Sequence, residues 1–175
     1  MERRRSYTSL TDVALVEEHV RLRALRRAGG PPIRLVRAGE GAAEVVAWAD
    51  HEEIRAVLAA LLENACAASP EAGEVAVTVA ISGSGDAVQF EVSDQGQGMS
   101  AEMLSGAGDF GHGPEGSNDR PGLGIGLWVA RELAARNGGS LAVAGRVGEG
   151  TRVTVKLPSA EVSARVGAAR GATES

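Results

Sequence analysis

Four short clusters in this chain carry residue types that could do chemistry. Glu63-Asn64-Ala65 offers a carboxamide oxygen, a ligand suited to a hard cation such as Mg²⁺, which takes oxygen donors and keeps several waters. Asp94-Gln95-Gly96-Gln97-Gly98-Met99 sets a carboxylate, an acceptor for an exocyclic amine, beside two glycines that let a flat base approach the backbone. Gly122-Leu123-Gly124-Ile125-Gly126-Leu127 opens a helical pattern, where bare N–H groups and the helix dipole favour an anion. Gly148-Glu149-Gly150-Thr151 is a tight turn with a hydroxyl. Each cluster alone has a structural explanation: a satisfied polar residue, a turn, a glycine-rich helix start, a hairpin. Their joint occurrence in this order is the signal.

The elements that must position these clusters follow from periodicity. An apolar stripe over residues 10–28 predicts a helix stopped by Gly29-Gly30-Pro31-Pro32. Short strands are expected at 33–36 and 45–49. Asp50 then reads as an N-cap with Glu53 completing a capping box. Ile54, Val57, Leu58, Leu61, Leu62 and Ala65 fall on one face of a helix that ends before Pro70. Alternation predicts strands at 75–81 and 87–93, joined as a hairpin. A long Gly-, Ser-, Asp- and Pro-rich loop follows over 94–122. A helix over 123–137 closes at Gly138-Gly139, and strands at 141–144 and 152–157 end the pattern. The order suggests a two-layer α/β sandwich, with helices covering one face of a mixed sheet.

Composition excludes several alternatives. The 175 residues suit one domain, and with 3 % aromatics the core must be built from Ala, Val, Leu and Ile. No apolar run approaches a membrane span, and no signal-peptide stretch follows the charged start. The single Cys66 excludes an internal disulfide framework and suggests a reducing compartment. His19, His51 and His112 lack metal-ligand spacing, and His51-Glu52-Glu53-Ile54-Arg55 puts Arg55 where a zinc-protease helix needs its second histidine. The one lysine, Lys156, follows Val155, so no Gly-Lys phosphate loop exists. Residues 1–37 carry a net +5 and the remainder a net −10. Without interleaved aromatics the basic arm reads as a solvated helix face, not a nucleic-acid surface.

Together the clusters resemble the four boxes of the histidine-kinase type of ATPase domain, in the superfamily shared with gyrase, Hsp90 and MutL. Leu61-Leu62-Glu63-Asn64-Ala65 resembles the N box, Asp94–Met99 the G1 box, Gly122–Leu127 with Trp128-Val129-Ala130-Arg131-Glu132-Leu133 the G2 box, and Gly148–Thr151 with Leu157-Pro158 the final box. The resemblance covers residues 33–158. It implies a Bergerat ATP-binding fold, with a mostly antiparallel sheet of about five strands and about three helices. It implies ATP and Mg²⁺ as ligands. Asn64 would hold Mg²⁺, with Glu63 beside it as a candidate catalytic carboxylate. Asp94 would accept from the adenine amine, supported by Thr151, with Gly96, Gly98 and Met99 as the base wall. Gly124, Gly126 and the Leu127 backbone would meet the phosphates, with Gly122, Leu123 and Ile125 also in the nucleotide site. Residues 100–121 would form a mobile lid.

The function implied is that of a sensor histidine kinase catalytic domain. It would donate the γ-phosphoryl group to a histidine on a separate dimerisation domain, upstream of a response regulator. Such a piece is expected to be cytoplasmic, monomeric and free of membrane contact, even where its parent kinase is membrane-anchored. Residues 1–32 would be a connector from that hairpin, and 159–175 a disordered tail. His19 lies in Glu18-His19-Val20-Arg21-Leu22-Arg23 and does not match a phosphoacceptor motif. Two departures stand out. Ala60 occupies the place of the hydrolases' general-base Glu, and Ala67 that of a basic residue near phosphate, for which Arg120 or His112 could compensate. They motivate one alternative, a nucleotide-binding module without phosphotransfer; the other, an anti-sigma-type serine kinase, shares the same boxes.

Overall fold

The structure, a computed structural model, describes residues 6–9, 31–37, 46–70, 73–81, 87–107, 109 and 125–159. Strands β1 (Ser6–Ser9), β2 (Ile33–Arg37) and β3 (Val46–Ala49) precede helix α1 (His51–Ala68). Then come β4 (Val75–Ile81), β5 (Ala87–Asp94), the short α2 (Ala101–Ser105), α3 (Ile125–Arg136), β6 (Ser140–Arg146) and β7 (Gly150–Pro158). Five strands form one sheet in the order β2-β4-β5-β7-β6. Only β2–β4 is parallel; the other pairs are antiparallel. The mixed, mostly antiparallel sheet expected from the sequence is present.

The N-terminal segment differs from expectation. Ser6–Ser9 pairs antiparallel with β3, from Ser6↔Ala49 to Ser9↔Val46. Part of the segment read as a connector thus belongs to the folded body. The helix expected at 10–28 and the tail from residue 160 lie outside the described residues.

Alternation explains the layering. Val88, Phe90 and Val92 of β5 and Val153, Val155 and Leu157 of β7 are buried on the face covered by α1 and α3. The buried residues of α1 are Ile54, Val57, Leu58, Leu61, Leu62 and Ala65, the stripe read from spacing. Helix α3 buries Leu127, Ala130 and Ala134, and the two alanines let the helix lie close to its neighbours. Each fully buried Leu or Ile contributes about 1.5–3 kcal/mol through removal from water. No helix among the described residues is long and apolar enough to cross a membrane.

The helix ends hold one surprise. Asp50 is the N-cap of α1, accepting from the amides of Glu52 (3.0 Å) and Glu53 (3.1 Å). In a capping box the Glu53 side chain would reach back to the Asp50 amide. Here that amide donates to Oδ1 of Asn137 at 2.7 Å, and Asn137 Nδ2 donates to Glu53 Oε2 at 2.8 Å. A residue from the end of α3 has inserted itself into the box. Beyond Asn137 the chain leaves α3 through Gly138 at φ +75°, with Gly138 N bonded to Ala135 O and Gly139 N to Ala134 O, both 2.9 Å.

Candidate functional site

The alternation that buries Val88, Phe90 and Val92 continues one step to Asp94, so a carboxylate ends the buried face of β5. Asp94 is 8 % exposed. It accepts from the amide of Gly96 at 2.8 Å and that of Thr151 at 3.2 Å. Both bonds end on Oδ1, so neither uses Oδ2. Burial pushes the carboxyl above its ordinary range, and the two amide bonds oppose that shift. Thr151 arrives beside Asp94 because β7 runs antiparallel to β5 in the register Ser93↔Arg152.

Glycines make this packing possible. A Cβ on Gly150, at φ +82°, would collide with the Asp94 carbonyl. One on Gly96 would meet the Ala68 carbonyl, and one on Gly98, at φ +68°, the Arg146 carbonyl. The Gly148 amide also donates to Gln97 O at 2.8 Å. The Asp94–Met99 loop is therefore held between the end of α1 and the β6–β7 turn.

These groups border an open cleft. Its lining is Leu61, Asn64, Ala65 and Ala68 of α1, Val92 and Asp94 of β5, with Met99, Leu127, Thr151 and Val153. The walls are mostly apolar, and one buried carboxylate gives them direction, the usual constitution of a small-molecule site.

Asn64 stands at the edge of this cleft against Gly126, the second residue of α3. A Cβ on Gly126 would lie 2.8 Å from Asn64 Nδ2 and 3.2 Å from Oδ1. Nδ2 is buried and has no hydrogen-bond partner. A half-turn of the amide would exchange its two ends, so this corner can present either a donor or a bare oxygen. No group of three or more His, Cys, Asp or Glu among the described residues could hold a metal ion. A cation here would take one protein oxygen and draw its other ligands from water and a bound anion, a set that fits Mg²⁺.

The structure thus brings together Asn64, Asp94, Gly96, Gly98, Met99, Gly126, Leu127 and Thr151. Ile125 begins α3 and is 63 % exposed. Gly122, Leu123 and Gly124 lie outside the described residues, as do Arg120 and His112. Glu63 is exposed and does not line the cleft. Ala67 is exposed too, while Ala68 lines the cleft. Of the expected lid, residues 101–105 form α2, N-capped by Ser100. Arg131 of α3 pairs with Asp109 at 2.9 Å. Sequence reasoning missed the backbone role of Thr151, which the register of two strands decides. It also missed Asn137, whose only visible sign was its place before Gly138-Gly139.

Residues 49–161 match the family of histidine kinase-, DNA gyrase B- and HSP90-like ATPases, and the chain belongs to that family. Its relatives are sensor histidine kinases. The histidine protein kinase DivJ of Caulobacter vibrioides is 33 % identical over 111 residues, which is 63 % of this chain and 18 % of DivJ. The sensor histidine kinase ZraS of Escherichia coli K12 is 34 % identical over 110 residues, 63 % of this chain and 22 % of ZraS. The chain therefore spans about a fifth of the length of these relatives. In fold it is similar to the mycobacterial sensor histidine kinase MprB (TM-score 0.74, 20 % identity, covering 88 % of this chain and 98 % of that one). It is also similar to full-length ShkA in complex with AMPPNP (TM-score 0.71, 24 % identity, 89 % and 32 %).

Proposed function

We propose that the cleft binds ATP and ADP with Mg²⁺, and that the chain is the catalytic domain of a two-component sensor histidine kinase. The observation that carries this reading is Asp94: a buried carboxylate, fixed through one oxygen by two backbone amides, in the lining of a mostly apolar cleft. Its second oxygen accepts from the exocyclic amine of adenine. Gly96, Gly98 and Met99 flank the base, and the Thr151 hydroxyl supports it through water. The backbone of residues 122–127 faces the phosphates. Asn64 supplies the protein's oxygen to Mg²⁺, with Glu63 as an outer charge beside it. When bound, Mg²⁺ neutralises phosphate charge during transfer, where positioning and electrostatics do most of the work.

The names of the relatives, histidine protein kinase and sensor histidine kinase, support a histidine as phosphoryl acceptor; its place on a separate dimerisation domain and a response regulator beyond it are part of the proposal. A cytoplasmic location belongs to the same reading. Calorimetric titration with ADP and a non-hydrolysable ATP analogue, with and without Mg²⁺, tests the site. Binding strengthened by Mg²⁺ is expected. No binding by either nucleotide would overturn the reading. Phosphotransfer to an added hairpin substrate then separates a kinase from a module that only holds nucleotide.

A further inference from the structure

Helices α1 and α3 run antiparallel. Asn64 of α1 meets Gly126 of α3 at one end; Asp50 and Glu53 of α1 meet Asn137, just beyond α3, at the other. Asp50 and Asn64 are about 21 Å apart at 1.5 Å per helical residue. Asn137 is 1 % exposed. Its Oδ1 accepts from the Asp50 amide at 2.7 Å, and its Nδ2 donates to Glu53 Oε2 at 2.8 Å and to Leu133 O at 2.7 Å. Arg136 adds a longer pair to Glu53 at 3.6 Å.

A cap made within α1 would be indifferent to where α3 lies. The Asp50 cap on the Glu52 and Glu53 amides is of that kind, but the Asn137 bonds to the Asp50 amide and the Glu53 carboxylate cross between helices, so they hold only at one axial register. Beyond Leu127 the buried residues of α3 are Ala130 and Ala134, whose shallow ridges resist sliding weakly. A slip of one residue, about 1.5 Å, would break both cross-helix bonds and displace Gly126 along Asn64.

We propose that Asn137 is a positioning residue for the Asn64–Gly126 corner: it locks the register of α1 against α3 at the end remote from the cleft. The proposal deepens the nucleotide reading and rests on it for its consequence on Mg²⁺.

The full chain is compared with Asn137→Ala, and with Asn137→Asp, which keeps the acceptor for Asp50 and turns a carboxylate toward Glu53. ADP is titrated with Mg²⁺ and with the metal chelated, on protein shown folded by its thermal melt. The gain in affinity due to Mg²⁺ should fall at least about fivefold. The metal-free affinity, which reports Asp94, should stay within about twofold. A Mg²⁺ gain equal to wild type in a folded variant would overturn the proposal. A loss of both affinities in parallel would also overturn it, since general loosening has no preference for one corner. In the ligand-free protein, the NMR signals of the Gly126 amide and the Asn64 side-chain amide should move. Should the wild-type chain bind no nucleotide, the functional reading falls and those signals decide alone: displaced, they support the register lock; unmoved, they refute it. Where both Asn137 variants fail to fold, Glu53→Ala, which removes one cross-helix acceptor, is read by the same measures. Glu53→Gln keeps a neutral acceptor and should restore wild-type behaviour.

Discussion

Gly126 faces the Asn64 carboxamide so closely that a Cβ on it would stand 2.8 Å from Nδ2. The glycine sits in the first turn of a helix, where alanine is intrinsically better by about 0.5–1 kcal/mol. Gly126→Ala should therefore leave the melting temperature unchanged or higher while pushing the amide aside. The Mg²⁺-dependent part of nucleotide affinity should fall about tenfold, the cost of one displaced ligand. Calorimetry and a thermal melt on the same sample check both halves.

Asn64→Ala removes the candidate metal ligand. Affinity for ADP should drop with Mg²⁺ present and return to the wild-type value when the metal is chelated. Equal losses in both conditions would contradict a metal role.

Asp94→Asn keeps an oxygen for the amides of Gly96 and Thr151 and turns an NH₂ toward the adenine amine. Two donors then face each other. A loss of about 2–4 kcal/mol is expected, at least about thirtyfold in ATP affinity, with the fold intact. Wild-type affinity in this variant would remove Asp94 from the base site.

The same carboxyl makes a pH prediction with a definite sign. Burial, opposed by the Gly96 and Thr151 amides, raises its pKa in the folded chain above the unfolded value of about 3.9. Between the two values the folded state holds more protons than the unfolded one. Asp94 thus favours folding fully below the unfolded pKa, and that contribution is lost as pH rises through the folded value. The stability of Asp94→Asn relative to wild type should rise across this window. Nucleotide affinity runs the other way, since the amine needs the ionised acceptor. It should weaken as pH falls through the raised pKa in wild type and stay flatter in the variant. Titrations down the pH scale on both proteins measure this.

Two glycines with positive φ separate conformational cost from collision. Gly148 (φ +81°) has open space where a Cβ would go, so Gly148→Ala should cost only about 1–2 kcal/mol. Gly98 (φ +68°) has the Arg146 backbone there. Gly98→Ala should cost more than Gly148→Ala and abolish nucleotide binding, as read by denaturant melts and titration.

Much of this site is legible in the residues themselves. The apolar face of α1 follows from spacing at 3.6 residues, and the period-two run Val88, Phe90, Val92 points to Asp94 as the last inward position of its strand. What escapes is whatever depends on a distant partner. Ser6–Ser9 has no apolar alternation and becomes a strand only because β3 lies beside it. Glu53 has the spacing of a capping box and its amide does bond the Asp50 side chain, yet Asn137, from beyond the end of another helix, takes both partners of the returning bond, the Asp50 amide and the Glu53 carboxylate. The parallel pairing of β2 with β4 needs a crossover that passes through β3 and α1, and no local pattern announces it. The five residues of α2 are too few for periodicity to register.

The pairing of β1 with β3 bears on how this protein can be cut. Without residues 6–9, one flank of β3 would present bare amides and carbonyls to solvent, directly before the cap that starts α1. An unpaired flank of that kind recruits strands from other molecules. A fragment beginning at Ile33 should therefore self-associate on light scattering as its concentration rises. Restoring the first residues, or adding a peptide that carries them, should return it to a single dispersed species.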